Sequence, residues 1–527
     1  MLSLLPLALA AMVPACLLIA AFLVPRPRRT DLGTGDRTRV LPVASVVTTL
    51  TLGLAYLAVL LHTILQWRGY DPHGMSPDSV LLDVVQLDVV SSAMFVLVST
   101  LAFVVVRYSR TYLAGQAGLD RFSRYLLLTV ASVSVLVTSN NLAVVMVAWF
   151  TADVGLHQLL TFYRKRRQAL IVAHKKFLLS RVADAFFVAS IVMIGGATGS
   201  LRIDDVNAVA ASSTTLSPTL HLATVLLVVG VILKSAQLPF HGWMLQVMEA
   251  PTPVSALLHA GVVNIGGFVM IRMAPLMADA TLAQSILVGV GLFSTIIASL
   301  VMATRAAIKS VLAWSTIGQM GFMLVQCGLG AWHLALMHLL AHSLYKAHTF
   351  LSASSVVGQW SASHLVHHPP VAIWRLLVGL VLVPLFVVPF YVASALPFGH
   401  LYPSTSSAAL ALMLGLAFAP LLGRALAGGR RAFGMVALFT MGASAAYFGW
   451  HVLFEQIAPQ ISDGPVATDL MWQIVVGGLG VLFLAQSIMQ TRPNGRFSNW
   501  LQPHLDSGLY IDDWFTRVTF RLWPPAL

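Results

Sequence analysis

Charged residues and cysteine are scarce in this sequence. Only 9% of the 527 residues are Asp, Glu, Lys or Arg, and 58% are hydrophobic. Soluble domains carry about 25% charged residues, so the composition excludes a soluble enzyme and predicts a chain that faces lipid. The two cysteines, Cys16 and Cys327, both lie in apolar runs. They lack metal-ligand spacing, so they predict no metal site, no redox chemistry and no cofactor.

Long apolar stretches are abundant instead. About fifteen of them, between residues 4 and 490, approach the roughly 20 residues that a helix needs to cross a bilayer. We therefore predict an all-α, polytopic membrane protein with about 14–15 transmembrane helices. Its first partner is the lipid bilayer itself.

Charge alternates between the loops that join these stretches. The net charge of +12 comes from basic residues in short loops, so it predicts membrane orientation and no nucleic-acid partner. Basic loops face the cytoplasm, which predicts a cell inner membrane protein with its N-terminus outside and its tail, residues 491–527, in the cytoplasm. The basic loops are 26–39, 107–124, 164–176, 305–309, 424–431 and 492–496, and the acidic residues between them are Asp71, Asp78, Asp204, Asp205, Asp279, Glu455, Asp463 and Asp469.

The chain has only six lysines, and most of them lie in or beside apolar stretches. A lysine at the centre of a lipid-facing helix costs about 2.5–3.5 kcal/mol. A buried ammonium can lose its proton when desolvated and regain it near a carboxylate, which is the chemistry of a proton relay. Snorkelling anchors are the alternative for lysines near span ends. The candidates are Lys175, Lys176, Lys234, Lys309 and Lys346.

A histidine pattern precedes the last lysine. His338, His342 and Lys346 are spaced i, i+4 and i+8, so they share one helix face, and His348 follows. Imidazole titrates near neutrality and suits a proton shuttle. A zinc pair is the alternative for the two histidines, but a third ligand is missing and Lys346 would repel the ion.

Helix-breaking residues follow Lys234. Prolines and glycine at Pro239, Gly242 and Pro251 interrupt the apolar pattern. Irregular backbone at membrane depth is tolerated where it lines a cavity, and transporters place ion sites at such breaks. Glu249 and His259 are the candidates there, with a cytoplasmic loop as the alternative for Glu249.

These motifs resemble the proton-translocating antiporter-like membrane subunits of respiratory complex I and of Mrp-type antiporters. The resemblance covers about residues 80–360 and rests on Lys-Ser-Ala-Gln-Leu-Pro from Lys234, on Ala-Pro-Thr-Pro-Val-Ser-Ala-Leu-Leu-His ending at His259, on Ile-Lys-Ser-Val-Leu-Ala-Trp-Ser-Thr-Ile-Gly-Gln around Lys309, and on His-x3-His-x3-Lys-Ala. It implies two inverted five-helix repeats, each with a broken helix, and a polar axis at the bilayer midplane. The stretch from Lys175 to Arg181 and Asp184 resembles a further family motif.

Two departures from that family stand out. Its glutamate directly after a tryptophan is absent, because Trp149 is followed by Phe150, and the nearest carboxylate is Asp153. Residues 376–400, where the family's late broken helix has a lysine or glutamate, contain no acid and no lysine.

One branch of the family is a better match, the DabB membrane subunits of bacterial inorganic-carbon accumulation complexes. The resemblance to this branch rests on these departures, on the chain length and on the motifs His-Ala-Gly-Val-Val-Asn from His259 and Lys-Ala-His-Thr-Phe-Leu from Lys346. The branch implies a cation-translocating subunit, most simply for protons, that couples the ion gradient to CO₂/bicarbonate accumulation. It also implies a DabA-like, zinc-dependent, carbonic-anhydrase-like partner, so this chain itself is not expected to be catalytic. A complex I-like pump subunit and a Na⁺/H⁺ antiporter subunit are the alternatives.

The resemblance also sets the predicted domains. N-terminal helices occupy 1–123, the two repeats occupy 124–275 and 276–425, and further helices occupy 426–490. The tail, 491–527, is polar and aromatic, and we expect it to contribute to partner binding through Tyr510, Asp512, Asp513, Trp514 and Phe515.

Overall fold

The computed structural model describes residues 4–24, 40–69, 84–163, 166–213, 215–364, 372–395, 405–457 and 468–523. Among them the chain is helical, with two isolated β-bridges and no longer strand. The basic loop 26–39 and Asp71, Asp78 and Asp463 lie outside the described residues.

The first twelve helices extend to residue 278. They are α1 (Leu5–Leu23), α2 (Val40–Trp67), α3 (Val89–Tyr112), α4 (Leu119–Thr138), α5 (Leu142–Leu160), α6 (Arg167–Thr198), α7 (Ile203–Ser212), α8 (Pro218–Lys234), α9 (Gly242–Gln246), α10 (Thr252–Ala260), α11 (Ile265–Arg272) and α12 (Ala274–Ala278).

The remaining helices complete the described chain. They are α13 (Thr281–Met302), α14 (Ile308–Gly328), α15 (Trp332–His364), α16 (Ile373–Ala395), α17 (Thr405–Ala425), α18 (Gly429–Ile457), α19 (Asp469–Thr491), α20 (Arg496–Asp506) and α21 (Ile511–Leu522).

The predicted class, an all-α polytopic membrane protein, is confirmed. Twelve segments of the described chain are long and apolar enough to cross a membrane, and α8 and Ala411–Ala425 are shorter apolar helices. α15 is not among the twelve, because its histidines and lysine lower the mean hydropathy of the helix.

Helix starts follow local capping chemistry. The side chain of Asp88 accepts a hydrogen bond from the Ser91 amide at the start of α3, and Asn141 accepts from two amides of α5. The Ser217 side chain accepts a hydrogen bond from the Leu220 amide at the start of α8, where Pro218 occupies the first helical position. Such caps satisfy amides that have no partner inside the helix.

The predicted break after Lys234 is present. α8 ends at Lys234, the backbone is non-helical up to His241, and the short α9 and a 3₁₀ turn lead to α10. A second interruption, a 3₁₀ turn at Val262–Asn264, separates α10 from α11. By contrast, α16 stays helical through Pro384 and Pro389.

The described chain divides into two compact units. The first comprises residues 1–280, 338–354 and 512–527, and the second comprises 281–337 and 355–511. In the first unit α10 and α11 form a completely buried segment. A helix buried on all sides can carry polar groups without contact with lipid.

The second unit is held by close helix contacts between small residues. A side chain at Gly379 of α16 would meet the Ala419 carbonyl oxygen of α17, and one at Gly423 would meet the Arg375 carbonyl oxygen. Such small residues let helix backbones approach in a membrane, where the hydrophobic effect between helices is weak. A second core packs Trp472 and Val475 of α19 against Leu292 and Val325.

Candidate functional site

Asp153 is the centre of a buried ion cluster in the first unit. It lies in α5, its side chain is 3% exposed, and it accepts hydrogen bonds from the ammonium groups of Lys176 in α6 and Lys234 in α8. The Lys234 Nζ–Asp153 Oδ2 distance is 2.8 Å. Because an uncompensated charge at this depth is costly, each partner makes burial of the others possible.

The cluster continues from Lys234 to a second carboxylate. Lys234 Nζ is 2.6 Å from Asp184 Oδ1, and Arg181 Nη2 is 2.8 Å from Asp184 Oδ2. Arg181 also lies 3.6 Å from Asp153. We call the five residues Lys176, Asp153, Lys234, Asp184 and Arg181 the charge chain.

The charges within the charge chain do not cancel. Three cations and two anions leave +1 when all five groups are ionised. Loss of one proton from a lysine makes the chain neutral. Two states that differ by one proton, with short contacts between neighbours, are what a proton relay needs.

Aromatic rings surround the cations of the charge chain. Lys234 Nζ lies 4.7 Å from the centre of a Trp149 ring, and the Arg181 guanidinium carbon lies 4.0 Å above the Phe150 ring. Cation–π contacts stabilise cations that have left water. Phe150, the residue after Trp149, therefore contacts the same arginine that faces Asp153.

The other lysine of the pair, Lys175, faces the C-terminal helix. Its side chain is completely buried, and its Nζ donates to Asp512 Oδ1 at 3.0 Å and to Oδ2 at 3.1 Å. The expected partner-binding residues thus separate into two groups. Asp512 and Phe515 contact their own chain, whereas Tyr510, Asp513 and Trp514 are exposed.

A second polar cluster lies on α15 and α10, as the spacing predicts. Lys346 and His342 are buried on one side of α15, and the rings of His338 and His342 are 6.0 Å apart. His259 of α10 is close enough to Lys346 and His342 to interact electrostatically. Both ring nitrogens of His342 are buried without a hydrogen-bond partner in the part of the chain that the structure describes.

Asn264 joins this cluster to the broken segment. Its side chain, in the 3₁₀ turn between α10 and α11, donates to Ser343 Oγ of α15 at 2.6 Å. The interruption therefore faces the polar side of α15. His342 is adjacent to Ser343 in α15, so the α15 cluster lies beside this interruption.

Two known inorganic-carbon transporter subunits are similar to this chain over most of its length. A probable inorganic carbon transporter subunit, DabB2 of Halothiobacillus neapolitanus, is 36% identical over 489 residues, covering 90% of this chain and 87% of that protein. The DabB subunit of Hydrogenovibrio crunogenus is 36% identical over 443 residues, with 83% of each chain covered. The chain belongs to the DabB family.

The DabB family lies within a wider group of antiporter-like membrane subunits. Residues 139–396 match the transmembrane family of NADH:quinone oxidoreductases and Mrp antiporters. NADH-quinone oxidoreductase subunit L of Rhodobacter capsulatus is 36% identical over 303 residues, covering 54% of this chain and 41% of that one. The chain is therefore an antiporter-like membrane subunit of the kind found in multi-subunit complexes.

Solved structures show the same fold. The Mrp complex from Dietzia aligns with a TM-score of 0.60 at 19% identity, covering 99% of this chain and 60% of that chain. The archaeal membrane-bound sulfane sulfur reductase aligns with a TM-score of 0.56 at 16% identity, covering 96% of this chain and 99% of that one.

Besides Lys175, three predicted pathway residues of this DabB-family chain do not join either cluster. Glu249 ends a 3₁₀ turn at the surface, where it lies 3.6 Å from Arg166, so its loop alternative fits the structure. His348 is exposed, because two residues after Lys346 the helix has turned by about 200°. Lys309 is partly buried in the first turn of α14, in the second unit.

The sequence alone did not indicate a polar network at the other end of the first unit. Arg272, at the end of α11, donates to Asp88 at 2.8 Å and to Ser91 and Gln86. Gln86 in turn donates to Asp204 at 2.8 Å. In the sequence, an arginine at the end of an apolar run has the appearance of an anchor at the membrane interface. The hydrogen-bond partners of Arg272 are therefore visible only in the fold.

No metal site accompanies these clusters in the described residues. No group of three or more His, Cys, Asp or Glu side chains there could hold an ion. His338 and His342 lie 6.0 Å apart between ring centres in an edge-on arrangement, and Lys346 follows them on the same face.

Proposed function

We propose that this chain conducts protons through the charge chain and the α15 cluster, and that the flow drives inorganic-carbon accumulation by a partner. The partner would be a DabA-like, zinc-dependent, carbonic-anhydrase-like subunit that holds the hydration chemistry. The observation that carries the proposal is the continuous contact from Lys176 through Asp153 and Lys234 to Asp184. Membership of the DabB family supports the coupling to carbon.

The charge chain suits protons because its lysine ammonium groups directly contact carboxylates. Burial favours a neutral amine, whereas a nearby carboxylate favours the ammonium form. A small movement of Asp153 toward Lys176 or Lys234 would therefore move the preferred site of the proton. Arg181 keeps its charge throughout and holds Asp184 in place at 2.8 Å.

The α15 cluster would continue the relay toward the polar axis. Lys346, His342 and His259 lie within electrostatic range of one another, and an imidazole can accept a proton on one nitrogen and donate from the other. Asn264 fixes α15 against the broken segment. Irregular backbone of this kind accompanies ion sites in transporters.

The partner requirement gives the first test. A carbonic-anhydrase-deficient host growing in air should be rescued when the chain and its partner are expressed together, because the ion path and the hydration site would lie on different chains. The chain alone should give no rescue. Growth is the measurement, with membrane abundance of both proteins assayed alongside.

The outcomes separate the competing functions. Rescue by the chain alone would contradict the coupling. Rescue by the pair that survives Lys346→Ala would show that carbon accumulation does not use the proposed ion path. Na⁺ efflux by the chain without any partner would favour the antiporter alternative instead.

The proposed orientation places the tail in the cytoplasm of a cell inner membrane. In the first unit, α21 packs beside Lys175, near the start of α6 and its preceding basic loop. In the second, Arg305 of a basic loop donates to carbonyl oxygens of Leu505 and Asp506 in α20. Both contacts support the tail lying on the basic, cytoplasmic side.

A reporter pair tests this orientation. Green fluorescent protein fused after Leu527 should fluoresce, and alkaline phosphatase fused there should be inactive, because the phosphatase folds only outside the cytoplasm. Both fusions should be compared at equal abundance. An active phosphatase would reverse the whole topology.

A further inference from the structure

The C-terminal helix α21 inserts a carboxylate into the first unit. Asp512, in its first turn, contacts the completely buried Lys175, while the Asp512 side chain itself remains 24% exposed. Asp512 therefore contacts a buried ammonium while part of its own carboxylate side chain stays exposed. Lys175 directly precedes Lys176, the first member of the charge chain.

Gly242 leaves the space that the Asp512 carboxylate occupies. A methyl group at Gly242 would lie 1.5 Å from Asp512 Oδ1, so any side chain there would exclude Asp512 from its present position. Gly242 opens α9, directly after the helix break. His241, which is fully buried, is within electrostatic range of both Asp512 and Lys175.

Aromatic contacts hold α21 beside this site. Phe515 packs edge-on against Phe240, with ring centres 6.0 Å apart, and Trp523 stacks on His174 at 3.9 Å. These contacts bury apolar surface and stabilise the docked helix. A buried ion pair, in contrast, often contributes little net stability because desolvation offsets the attraction. The Lys175–Asp512 pair therefore calls for a role other than holding α21 in place.

We propose that Asp512 is the outermost proton-exchanging group of the ion path, so that α21 forms part of that path. The inference rests on the proposed function, and it assigns Asp512 to ion transport where the sequence suggested partner binding. Asp512 would exchange protons with water, and Lys175 with Asp512. Lys175 and Lys176 would carry the exchange from the aqueous boundary into the charge chain.

The exchange balances in charge and atoms. An N–H bond of the Lys175 ammonium breaks as an O–H bond forms on Asp512, which turns the ion pair into a neutral amine and a neutral carboxylic acid. The acid then releases its proton to water and leaves a carboxylate. Lys175 then regains a proton from the Lys176 ammonium, whose N–H bond breaks as the new N–H bond forms on Lys175, and the reverse sequence carries protons inward.

Five variants test the assignment. Asp512→Asn keeps the shape and removes the titrating group, and Asp512→Glu restores that group. Gly242→Ala evicts the carboxylate without changing any charge. Two controls match them: Asp506→Asn alters an exposed tail aspartate, and Gly289→Ala adds a methyl group where no atom lies within 4 Å.

The measurement is proton flux in inside-out vesicles from a deletion strain that carries each variant, read with a pH-sensitive dye. Hydrogen exchange of residues 511–522 in the purified complex reports docking of α21. Wild type and Lys346→Ala are run together with the five variants, so that the path itself is tested in the same assay.

Asp512→Asn should lower the flux by at least about tenfold while α21 stays protected, since a positioned proton-transfer group is worth about 10²–10⁴-fold. Asp512→Glu should recover part of the flux. Gly242→Ala should lower the flux in the same way as Asp512→Asn while α21 stays protected, because the added methyl group meets only the Asp512 carboxylate and the aromatic contacts still hold the helix. Both controls should resemble wild type.

Near-wild-type flux in Asp512→Asn would overturn the assignment. A lower total flux would overturn it as well if the variant is less abundant and each molecule carries normal flux. If Lys346→Ala abolishes the flux but Asp512→Asn does not, only the role of α21 fails. If wild type carries no flux, or Lys346→Ala carries normal flux, the proposed function fails with it.

Discussion

Asp153→Asn is expected to abolish transport and to lower the amount of protein in the membrane. The carboxylate of Asp153 faces three cations, Lys176, Lys234 and Arg181. An amide removes the compensating charge but keeps the shape. Loss of one partner from a buried ion pair costs about 3–5 kcal/mol, which is a large share of the stability of a domain.

Quantitative immunoblotting of membranes and inorganic-carbon uptake measure the two effects. Asp205→Asn is the matched control, because Asp205 is an exposed aspartate near the surface that pairs with Arg202 at 3.7 Å. Asp153→Asn with normal abundance and normal uptake would show that the charge chain is not required.

A rescue variant makes this test sharper. The resemblance to the wider family implies a glutamate directly after the tryptophan, whereas in this chain Phe150 follows Trp149 and contacts Arg181. Adding Phe150→Glu to Asp153→Asn restores one negative charge a single helical turn away. Partial recovery of abundance and uptake is expected if Asp153 stands in for that glutamate. A double variant no better than the single one would remove this equivalence.

Composition and local pattern were sufficient for the fold class and for one cluster. The low content of charged residues predicts the membrane class, because no soluble fold could bury so much apolar surface. Prolines near Lys234 predict the helix break, since proline removes a backbone hydrogen bond and disfavours a regular helix interior. The spacing of His338, His342 and Lys346 predicts a shared face, because helical geometry fixes that relation locally.

The charge pairs depend on tertiary packing, so the sequence could supply only their members. Asp153 and Lys234 are separated by 81 residues, and Lys175 and Asp512 by 337. Nothing in the local pattern assigns Lys176 to Asp153 and Lys175 to Asp512. Adjacent helical residues project about 100° apart, so these two lysines face different neighbours, and the fold decides which.

The same limit explains Glu249 and Arg272. Glu249 is one of two glutamates and follows a helix break, which suggests an ion site, but the chain returns to the surface in that turn. Arg272 ends an apolar segment, which suggests an anchor, but it lies in a buried network with Asp88. Depth in the bundle, which distinguishes the two residues, is a property of packing.

Lys346→Ala is expected to abolish transport and leave the protein in the membrane at normal abundance. Lys346 is 1% exposed and lies beside His342 and His259. Alanine removes a buried cation whose insertion costs about 2.5–3.5 kcal/mol, so the helix should form at least as well. The proton-holding group of the α15 cluster is lost.

Two further substitutions at this cluster distinguish a proton-relay lysine from a structural lysine. Lys346→Arg should fail nearly as badly as alanine, because guanidinium stays protonated and cannot release its proton. His342→Gln should be milder, because an amide can still hydrogen-bond a bridging water although it cannot titrate. Leu344→Ala, at an exposed position of the same helix, is the control and should behave as wild type. A structural lysine predicts the opposite order, with arginine tolerated and alanine reducing abundance. Uptake close to wild type in the arginine variant at normal abundance would therefore remove Lys346 from the relay.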